Sequence, residues 1–482
     1  MRIFLIDFWS KDLGHVDVAL ALKEKSHQIV YWVYTKECAE IEFARFPGTI
    51  FHDIADALSG KPPAEVDTRE FPPVGRDFIS EFYETELEVM TMMNKKYERW
   101  PVDERKHFYY RLLRYWNGVI QKYRPEVIIF FTIPHTVYDF VLYALAKKYN
   151  IQTLMFEETA VNDRLLLLSD YKICPPALQG ESLDRQPTLF SFSDLSLDLQ
   201  GYYNYHQQKS RDLKYSGSTR VYMQDWKKAY SGFNLFLKKL EVILSSLKDR
   251  TFFRKVYLFF KNRLGPNIKK EYRSVQSKVD WSRKFIYVPL GYQPERTTCP
   301  HGGIFTDQIL MIEMLSAALP DDWLIYVKEH PVQWLPRGLE FFSYRYRGYY
   351  QTIARIPKVK VIPIATDTYE LINKSRAAAA VTGTAAWEAA LRLKPALVFG
   401  SVWFQDSPGI FKVRDFFSCH KALRQIVGGY RVPEDKLVNY LAVFGKSSFH
   451  GYLQSFGRRI SELTKEQNVL NITNALLQEI EK

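Results

Sequence analysis

The sequence is poor in cysteine and lacks the cysteine spacings of metal and disulfide sites. Its four cysteines, Cys38, Cys174, Cys299 and Cys419, lie far apart along 482 residues and form no CxxC pair. This spacing argues against a zinc site or a disulfide framework, and it is typical of a protein from a reducing cytoplasm.

Long hydrophobic runs are also missing. No segment reaches 18 uninterrupted apolar residues, so no membrane-spanning helix is expected. The first residues, MRIFLIDFWSKDLGH, contain one early arginine and a short apolar run that is followed by an acid. They indicate a first buried strand rather than a signal peptide.

The glycine-rich signatures of two common nucleotide-binding folds are absent. Neither GxGxxG nor GxxxxGK[ST] occurs, which argues against a Rossmann dinucleotide-binding motif and a P-loop NTPase. Internal repeats and low-complexity tracts are absent as well. What is present is a hydrophobic share of 46% and an aromatic share of 15%, which is enough for large cores in two or three domains.

One segment supplies the whole net charge of +12. Residues 209–273 hold 17 lysines and arginines against 5 acids. Helical spacing predicts an apolar face and a basic side for this segment. The apolar face consists of Phe233, Phe236, Leu237, Leu240, Ile243 and Leu244, and the basic side of Lys238, Lys239 and Lys248.

Basic amphipathic helices of this kind are typical of elements that bind anionic membrane surfaces. The alternative is a helical excursion that packs on its own domain and has a solvated basic face. No RNA or DNA motif occurs, so nucleic acid is not an expected partner.

Strand-like and helix-like runs alternate on both sides of this basic segment. The alternation predicts an α/β protein with two Rossmann-like, doubly wound domains, whose facing strand ends form a ligand cleft. The predicted divisions are an N-terminal domain over 1–208, a basic helical insert over 209–280, a C-terminal domain over 281–434 and C-terminal helices over 435–482.

The stretch AAAAVTGTAAWEAALRLK predicts a strand, a turn at Thr382, Gly383 and Thr384, and a helix with an early acid, Glu388. A helix N-terminus offers unpaired N–H groups and a favourable dipole to phosphate, and Gly383 allows close approach. Glu388 would suit a pair of ribose hydroxyls. The alternative is an ordinary turn with Thr384 as the N-cap and Glu388 in a solvated first turn.

Polar side chains follow two more strands of the same predicted sheet. They are Gln293, Glu295, Arg296 and His301 after FIYVPL, and Lys328, Glu329 and His330 after WLIYV. Because parallel strands present ligand groups at their C-terminal ends, the three strand ends predict one shared ligand site.

The order and spacing of three strings resemble the capsule polysaccharide biosynthesis family. The strings are YVPLGYQPERTTCPHGGIFTDQ, LPDDWLIYVKEHP and the unit TGTAAWEA with KPALVFG. That family includes the bacterial transferases of Kdo, an acidic sugar. The resemblance is good over 285–405, looser over 1–175 and absent over the basic insert.

The resemblance implies a metal-independent glycosyltransferase of the GT-B type. It implies a CMP-activated acidic sugar as the donor, bound in the C-terminal domain, an acceptor toward the N-terminal domain, and no cofactor. A transferase without a metal has to stabilise its phosphate leaving group with protein groups. We therefore expect His330, Lys328 and the Thr-Gly-Thr N–H groups at the phosphate, Glu388 at the ribose, and Gln293 and Arg296 in the same donor site.

Glu295 stands where the family carries an acid after its glutamine. It is expected to act as a nucleophile or acid/base in a retaining transfer; a turn-stabilising or sugar-binding role is the alternative. Arg296 and Thr297 stand where some members carry further acids, which leaves the mechanism open. Arg164 and Arg296 could pair with a sugar carboxylate.

The N-terminal domain is expected to supply a base for the acceptor hydroxyl. The candidates are Glu157, Glu158, His15 and His135, each of which follows a predicted strand.

The sequence therefore predicts a glycosyltransferase of capsule or surface polysaccharide synthesis. It would work in the cytoplasm at the inner face of the membrane, on a glycan or lipid-linked acceptor. The alternatives are a polyol-phosphate transferase that uses a CDP-alcohol, as in teichoic-acid synthesis, and a non-catalytic sugar- or nucleotide-binding protein.

Overall fold

The computed structural model describes most of the chain. The exceptions are residues 9, 11, 36–42, 186–188, 208–223, 229, 265–266, 294–295, 297 and 335–344. The predicted catalytic residue Glu295 and Cys38 therefore lie outside the described residues.

The described strands form two sheets. The first sheet contains β1 (Arg2–Ile6), β2 (Gln28–Tyr34), β3 (Ile50–Asp53), β4 (Val127–Phe130), β5 (Gln152–Glu158), β6 (Arg164–Leu168) and β13 (Phe449–His450). The second contains β7 (Phe285–Pro289), β8 (Leu324–Lys328), β9 (Val359–Ile362), β10 (Ala377–Ala380), β11 (Ala396–Val398) and β12 (Ile410–Lys412).

Helices connect the strands and cover the sheets. Those of the N-terminal half are α1 (His15–Glu24), α2 (Ile54–Ser59), α3 (Arg76–Ser80), α4 (Tyr83–Met92), α5 (Val102–Tyr123), α6 (Val137–Lys148), α7 (Gly180–Asp184) and α8 (Leu197–Gln207). The basic segment contains α9 (Gly232–Lys248), α10 (Phe252–Leu264) and α11 (Ile268–Ser274). The remainder are α12 (Gln308–Ala318), α13 (Tyr349–Arg355), α14 (Thr368–Lys374), α15 (Thr384–Leu391), α16 (Phe416–Val427), α17 (Glu434–Ser447), α18 (Ser455–Ile460) and α19 (Lys465–Ile480).

Both sheets are doubly wound. The first has the order β13-β6-β5-β4-β1-β2-β3. In it, β1 to β5 run parallel to one another. The second has the order β12-β11-β10-β7-β8-β9 and is parallel throughout. Such sheets bury both faces under helices, which explains the continuous apolar runs of their strands. The predicted fold class, a GT-B-like pair of Rossmann-like domains, is confirmed.

The order of strands locates the two positions where ligands bind in folds of this class. The chain reverses direction across the sheet between β1 and β4 in the first sheet, and between β7 and β10 in the second. Ligands bind beyond the carboxyl ends of the strands at such switch points.

The end of the chain returns to the N-terminal domain. β13 pairs antiparallel with β6, and α19 packs on α1, where Asn468 donates to the carbonyls of Leu13 and Tyr452. The strands β3, β6, β12 and β13 are not among those predicted from the sequence, because no regular alternation of apolar runs with amphipathic runs marks them.

Candidate functional site

A cavity of about 710 Å³ lies between the carboxyl ends of the two sheets. Glu157 and Glu158 line it from the end of β5, and Arg296 from the segment after β7. Thr382 and Ser401 line it from the ends of β10 and β11. Residues of both domains therefore face one space, as the predicted cleft requires.

The Thr-Gly-Thr turn opens into this cavity. Thr382, Thr384 and Glu388 line it, and Gly383 joins the two threonines as the N-cap of α15. Thr384 is the first helical residue and is exposed, so the alternative in which Thr384 is the N-cap is wrong. Gly383 has no side chain that could cap α15, and the dipole of this helix points at the cavity.

Glu388 lies one turn into α15 and is buried, with 6% of its surface exposed. The alternative of a solvated first-turn acid is therefore wrong as well. A buried carboxylate that lines a cavity is placed to accept hydrogen bonds from ligand hydroxyls, because burial leaves it few water partners.

His301 is the histidine that packs beside the Thr-Gly-Thr turn. Its Nδ1 lies 2.9 Å from the carbonyl oxygen of Ser401, and its own carbonyl accepts from Ser401 N at 2.8 Å. A Cβ placed on Gly400 would come within 2.5 Å of the His301 oxygen and 2.6 Å of Thr382 Cγ2. Only glycine fits there, and this close packing holds His301 against the turn, where it lines the cavity.

His330 does not lie beside that turn, contrary to the prediction. β7 stands between β10 and β8 in the sheet, so the end of β8 is two strands away from Thr382. The described ring of His330 lies 5.8 Å from that of Tyr292, and its Nδ1 accepts from Val332 N at 3.4 Å. Among the described residues, His330 is not part of the cavity lining, and its phosphate role stays a prediction.

Lys328 is held by two threonines of its own domain. It is buried, and its Nζ donates to the carbonyl of Thr366 at 2.9 Å and to the hydroxyl of Thr368 at the start of α14. Lys328 is a described residue and is not part of the cavity lining. The structure thus gives this ammonium a different set of partners from the predicted phosphate.

Gln293 belongs to an internal network. Its Nε2 donates to the Thr306 carbonyl at 2.8 Å, and its Oε1 accepts from Gln308 at 3.0 Å and from Arg345. Arg345 in turn pairs with Glu329 at 2.7 Å, and both side chains are completely buried. The predicted donor-binding role of Gln293 lacks support in this geometry, since its amide is satisfied internally.

Arg296 joins the two domains inside the cavity. Its Nη1 donates to Thr132 Oγ1 at the end of β4 at 3.3 Å, and its Nη2 lies 3.8 Å from Glu157 Oε2. Arg296 is partly exposed and lines the cavity. A guanidinium in this position can bind an anionic ligand in two-point geometry.

The two glutamates at the end of β5 are both in the cavity, as predicted. Burial raises the pKa of Glu157 and of Glu158, while the Arg296 charge opposes the shift. Glu158 Oε2 also accepts from Gln454 at 3.0 Å. A raised pKa brings a carboxylate closer to the range in which it exchanges protons at neutral pH.

The two predicted histidine bases fit less well. His15 is completely buried, with its ring centroid 3.8 Å from that of Phe131, and burial lowers its pKa to about 3. Its Nδ1 accepts from Ser10 N at 3.1 Å. An acceptor cannot reach such a group. Burial, with the Arg296 charge, also lowers the pKa of His135 to about 3, which makes it a weak base.

Arg164 is a structural residue rather than a ligand for a sugar carboxylate. Its guanidinium pairs with Asp198 at 2.6 Å. The other N–H groups donate to Gly445 O, Ser448 Oγ and Ser196 Oγ. With these partners the guanidinium joins β6 to α8 and α17.

Sequence reasoning missed one wall of the cavity entirely. Tyr202, Tyr205 and His206 of α8 line it, together with Tyr369 of α14. The sequence signal was the aromatic run GYYNYH, which precedes the basic segment, but nothing in the one-dimensional pattern connects it to the C-terminal domain.

Within the described residues, no group of three or more histidine, cysteine, aspartate or glutamate side chains could hold a metal ion. Metal independence stays a prediction. A search of the described helices likewise found none that is long and apolar enough to cross a membrane.

Some solved structures are similar to the chain. A beta Kdo 2,7 transferase from Thermosulfurimonas dismutans matches at 9% identity, over 82% of this chain and 96% of its own, with a TM-score of 0.30. A UDP-GlcNAc 2-epimerase from Neisseria meningitidis, bound to UDP-GlcNAc, matches at 12% identity over 100% and 99%, with a TM-score of 0.23. Scores this low say nothing about what this chain binds. No curated protein matches the sequence.

A protein-family model matches part of the C-terminal half. The model describes the capsule polysaccharide biosynthesis protein, and it covers residues 270–419. This range includes β7 to β12 and the Thr-Gly-Thr turn, which carry the C-terminal side of the cavity. The predicted resemblance is confirmed: residues 270–419 of this chain match the capsule polysaccharide biosynthesis family.

Proposed function

We propose that the protein is a glycosyltransferase of capsule or surface polysaccharide synthesis. It transfers a Kdo-like acidic sugar from a CMP-sugar to a glycan or glycolipid acceptor. The observation that carries the proposal is the cavity between the two domains, which contains a helix N-terminus with a glycine N-cap and lies partly within the family-matched region.

The donor phosphate would bind at the Thr382–Thr384 turn. The N–H groups at the start of α15 and the helix dipole attract an anion there. His301 packs against the turn and lines the cavity. Because its Nδ1–H donates to the Ser401 carbonyl, it would donate from Nε2 to a phosphate oxygen in its protonated form, as negative charge develops on the leaving group. Glu388, one turn further, would accept hydrogen bonds from the ribose.

The acceptor would approach from the side of β5. In a first step the Glu295 carboxylate would attack the sugar carbon, the bond between that carbon and the phosphate oxygen breaks, and CMP leaves with the electron pair. In a second step the acceptor oxygen would displace Glu295 from the sugar carbon, and the acceptor hydroxyl loses its proton to another carboxylate. Glu158 and Glu157 are suited to take that proton, because burial raises the pKa of both. Arg296 would bind the sugar carboxylate, and Glu295 keeps its predicted role as nucleophile in a retaining transfer.

Carboxylates outnumber cationic side chains around the cavity. Its lining includes the acids Glu157, Glu158, Asp163, Asp198 and Glu388, and the bases Arg164, Arg296, His206 and His301. Asp198 is paired with Arg164 and Glu157 lies near Arg296. Besides the Thr382 turn, we assign Arg296 to an anionic ligand, because its contact with Glu157 at 3.8 Å is looser than that of Arg164 with Asp198 at 2.6 Å. A donor with one phosphate and one carboxylate needs two such points, which favours CMP-sugars over diphosphate donors.

Release of nucleotide tests the proposal. The purified protein is incubated with CMP-Kdo without acceptor, in buffer with EDTA, and CMP is measured by chromatography. We expect slow hydrolysis that EDTA does not stop. Release from a CDP-alcohol alone would instead support the polyol-phosphate transferase, and binding without release from either compound would support a non-catalytic binder.

We propose further that the enzyme works at the inner face of the cytoplasmic membrane, held there by α9 and α10. The predicted apolar face of α9 is exposed: Phe233 by 71%, Phe236 by 59% and Leu244 by 59%. On α10, Phe253, Tyr257, Phe260 and Leu264 recur at helical spacing and are 53% to 84% exposed. The alternative in which this face packs on its own domain does not describe these side chains.

A surface that is apolar in its centre and basic at its sides suits an anionic bilayer. Lys239, Lys248 and Arg254 flank the two apolar stripes and are exposed. Each basic residue close to an anionic surface contributes roughly 1 kcal/mol, and each buried apolar side chain adds to that.

Vesicle co-sedimentation tests the membrane surface. We expect binding to vesicles with phosphatidylserine that weakens in high salt and is lost when Phe253 and Phe260 are replaced by serine. The matched control is Leu87→Ser with Tyr83→Ser, since these two side chains are also exposed but lie on α4. Equal sedimentation of both double variants would reject α9 and α10 as the anchor.

A further inference from the structure

Helix α8 connects the two domains across one side of the cavity. Asp198 pairs with Arg164 of β6 at 2.6 Å. Further along the same helix, the hydroxyl of Tyr202 accepts from Trp387 Nε1 of α15 at 3.0 Å, and Gln207 donates to the Leu391 carbonyl. The helix is thus fixed against the element that begins at the Thr-Gly-Thr turn.

The face that α8 turns to the cavity is aromatic. Tyr202, Tyr205 and His206 all line the cavity. His206 is buried, with 5% of its surface exposed, and its ring centroid lies 4.6 Å from that of Tyr202 and 5.2 Å from that of Tyr205, in T-shaped geometry. This cluster fixes the ring of Tyr205, which is itself only half-buried.

The position of this wall follows the length of a nucleotide. A phosphate at the start of α15 and a ribose at Glu388 lie about 6 Å apart along the helix axis, four residues at 1.5 Å each. Trp387, the neighbour of Glu388, donates a hydrogen bond to the hydroxyl of Tyr202. A base attached to that ribose therefore meets α8.

Resting on the proposed function, we infer that α8 is the nucleobase wall of the donor site, and that Tyr205 is the ring on which the base stacks. Stacking suits this surface, because every nucleobase has a π-face and an aromatic side chain binds it without reading hydrogen bonds. The burial of Tyr202, together with the nearby Glu388 charge, raises the pKa of its phenol, so the wall stays uncharged beside the base.

A consequence is that the donor site is shared between two parts of the chain. The phosphate and ribose contacts come from residues 382–388 within the family-matched range, while the base contact comes from α8, outside it. Recognition of the base can then vary among related chains while the phosphate site stays the same.

The test compares a ligand that has a base with one that lacks it. The dissociation constants of CMP and of ribose 5-phosphate are measured by calorimetry for the wild-type protein and for Tyr205→Leu. We expect Tyr205→Leu to weaken CMP by about tenfold or more and to leave ribose 5-phosphate unchanged. Tyr205→Phe keeps the ring and should bind CMP within about twofold of the wild type.

Two controls separate stacking from folding. The melting temperature of each variant without ligand reports on folding, and Tyr83→Leu makes the same change at an exposed tyrosine of α4. Unchanged CMP binding in Tyr205→Leu, or an equal loss of both ligands, would overturn the nucleobase wall and leave the glycosyltransferase proposal standing. If the wild type binds UMP or GMP instead of CMP, the donor assignment fails; an about tenfold weaker affinity of Tyr205→Leu for that nucleotide would then support the nucleobase wall, and an unchanged affinity would overturn it. If it binds no nucleotide, both proposals fail.

Discussion

Two strand ends of the C-terminal sheet look equally polar in sequence but differ in the fold. The end of β10 continues into the Thr382–Thr384 turn, which lines the cavity and starts a helix. The end of β8 carries Lys328, Glu329 and His330, and its charged groups turn inward to Thr366, Thr368 and Arg345. Polar residues after a strand therefore contribute to a binding site only where the fold leaves their side chains at the cavity rather than bonded inside their own domain.

The largest effect on stability should come from a substitution at the inward-facing end of β8. Glu329 pairs with Arg345 at 2.7 Å and accepts from Tyr350, and both charged side chains are fully buried. Replacing Glu329 by alanine leaves a buried guanidinium without its partner. We expect the free energy of unfolding to fall by about 3–5 kcal/mol, as measured by urea denaturation.

Glu370→Ala is the matched control for Glu329→Ala. Glu370 pairs with Lys374 on the surface of α14 at 2.8 Å, with both side chains more than 40% exposed. Its loss should cost under about 0.5 kcal/mol. The contrast between the ends of β8 and β10 would be wrong if Glu329→Ala keeps its stability but no longer binds nucleotide, because the end of β8 would then be part of the ligand site.

The second prediction sets the two histidines against each other. His301→Ala should lower turnover on the order of 100-fold, about 3 kcal/mol, because a hydrogen-bond donor to the leaving phosphate is lost. His330→Ala should lower turnover by less, since the end of β8 lies two strands from the turn. The measurement is CMP release under saturating donor, with melting temperature as the check on folding.

The reverse order of the two effects would contradict the strand-order argument. A 100-fold loss in His330→Ala with near-normal turnover in His301→Ala would return the phosphate to the end of β8, as the sequence predicts. Equal and small losses would remove both histidines from the transition state.

The third prediction concerns the end of β10, which faces the cavity. At one hundred times its dissociation constant, CMP should stabilise the folded protein by about 2.7 kcal/mol, a shift of a few degrees in melting temperature. Glu388→Gln keeps the volume of the side chain but weakens its hydrogen bonds to the ribose, so we expect most of this shift to disappear. Thermal denaturation with and without CMP measures it.

The choice of nucleotide sharpens this test. A shift with UDP or GDP but none with CMP would reject the donor assignment and leave a glycosyltransferase with another donor. An unchanged shift in the melting temperature of Glu388→Gln with CMP would mean that Glu388 does not bind the ribose.

Much of this fold follows from periodicity alone. The strands β7 to β11 and the helices between them lie where apolar runs and amphipathic runs alternate in the sequence, because each element must bury one face. Most of the predicted site residues line the cavity, because parallel strands end at a common edge of their sheet. They are Thr382, Thr384, Glu388, Arg296, Glu157 and Glu158.

The rest depends on distances that a sequence does not contain. The crossover connections place β7 between β10 and β8. This order determines that His301, and not His330, lies beside the Thr382–Thr384 turn. The partner of Glu329 is Arg345, sixteen residues further along the chain, and no local pattern in the sequence pairs the two. The aromatic wall of α8 comes from another part of the chain, so no local pattern could connect Tyr205 with Glu388.

The smallest predicted effect lies in the first domain, where His15 follows β1 and also turns inward. Burial holds its folded pKa near 3, below the ordinary value of 6.5. Between these values the unfolded chain binds more protons than the folded one, so stability is present above about pH 6.5 and is lost as the pH falls. The slope is at most about 1.4 kcal/mol per pH unit, or roughly 2 kcal/mol between pH 6.5 and 5.

Replacing His15 by asparagine should flatten the acid side of the stability profile, whatever it does to the stability at pH 7. Urea denaturation of both proteins at several values between pH 5 and 7.5 gives the two slopes. His135 contributes to both proteins alike, because burial lowers its pKa as well, so the difference between the slopes isolates His15. Identical slopes would mean that His15 takes up a proton in the folded protein. It would then be open to solvent like the groups of the cavity, and its place among the candidate bases would be restored.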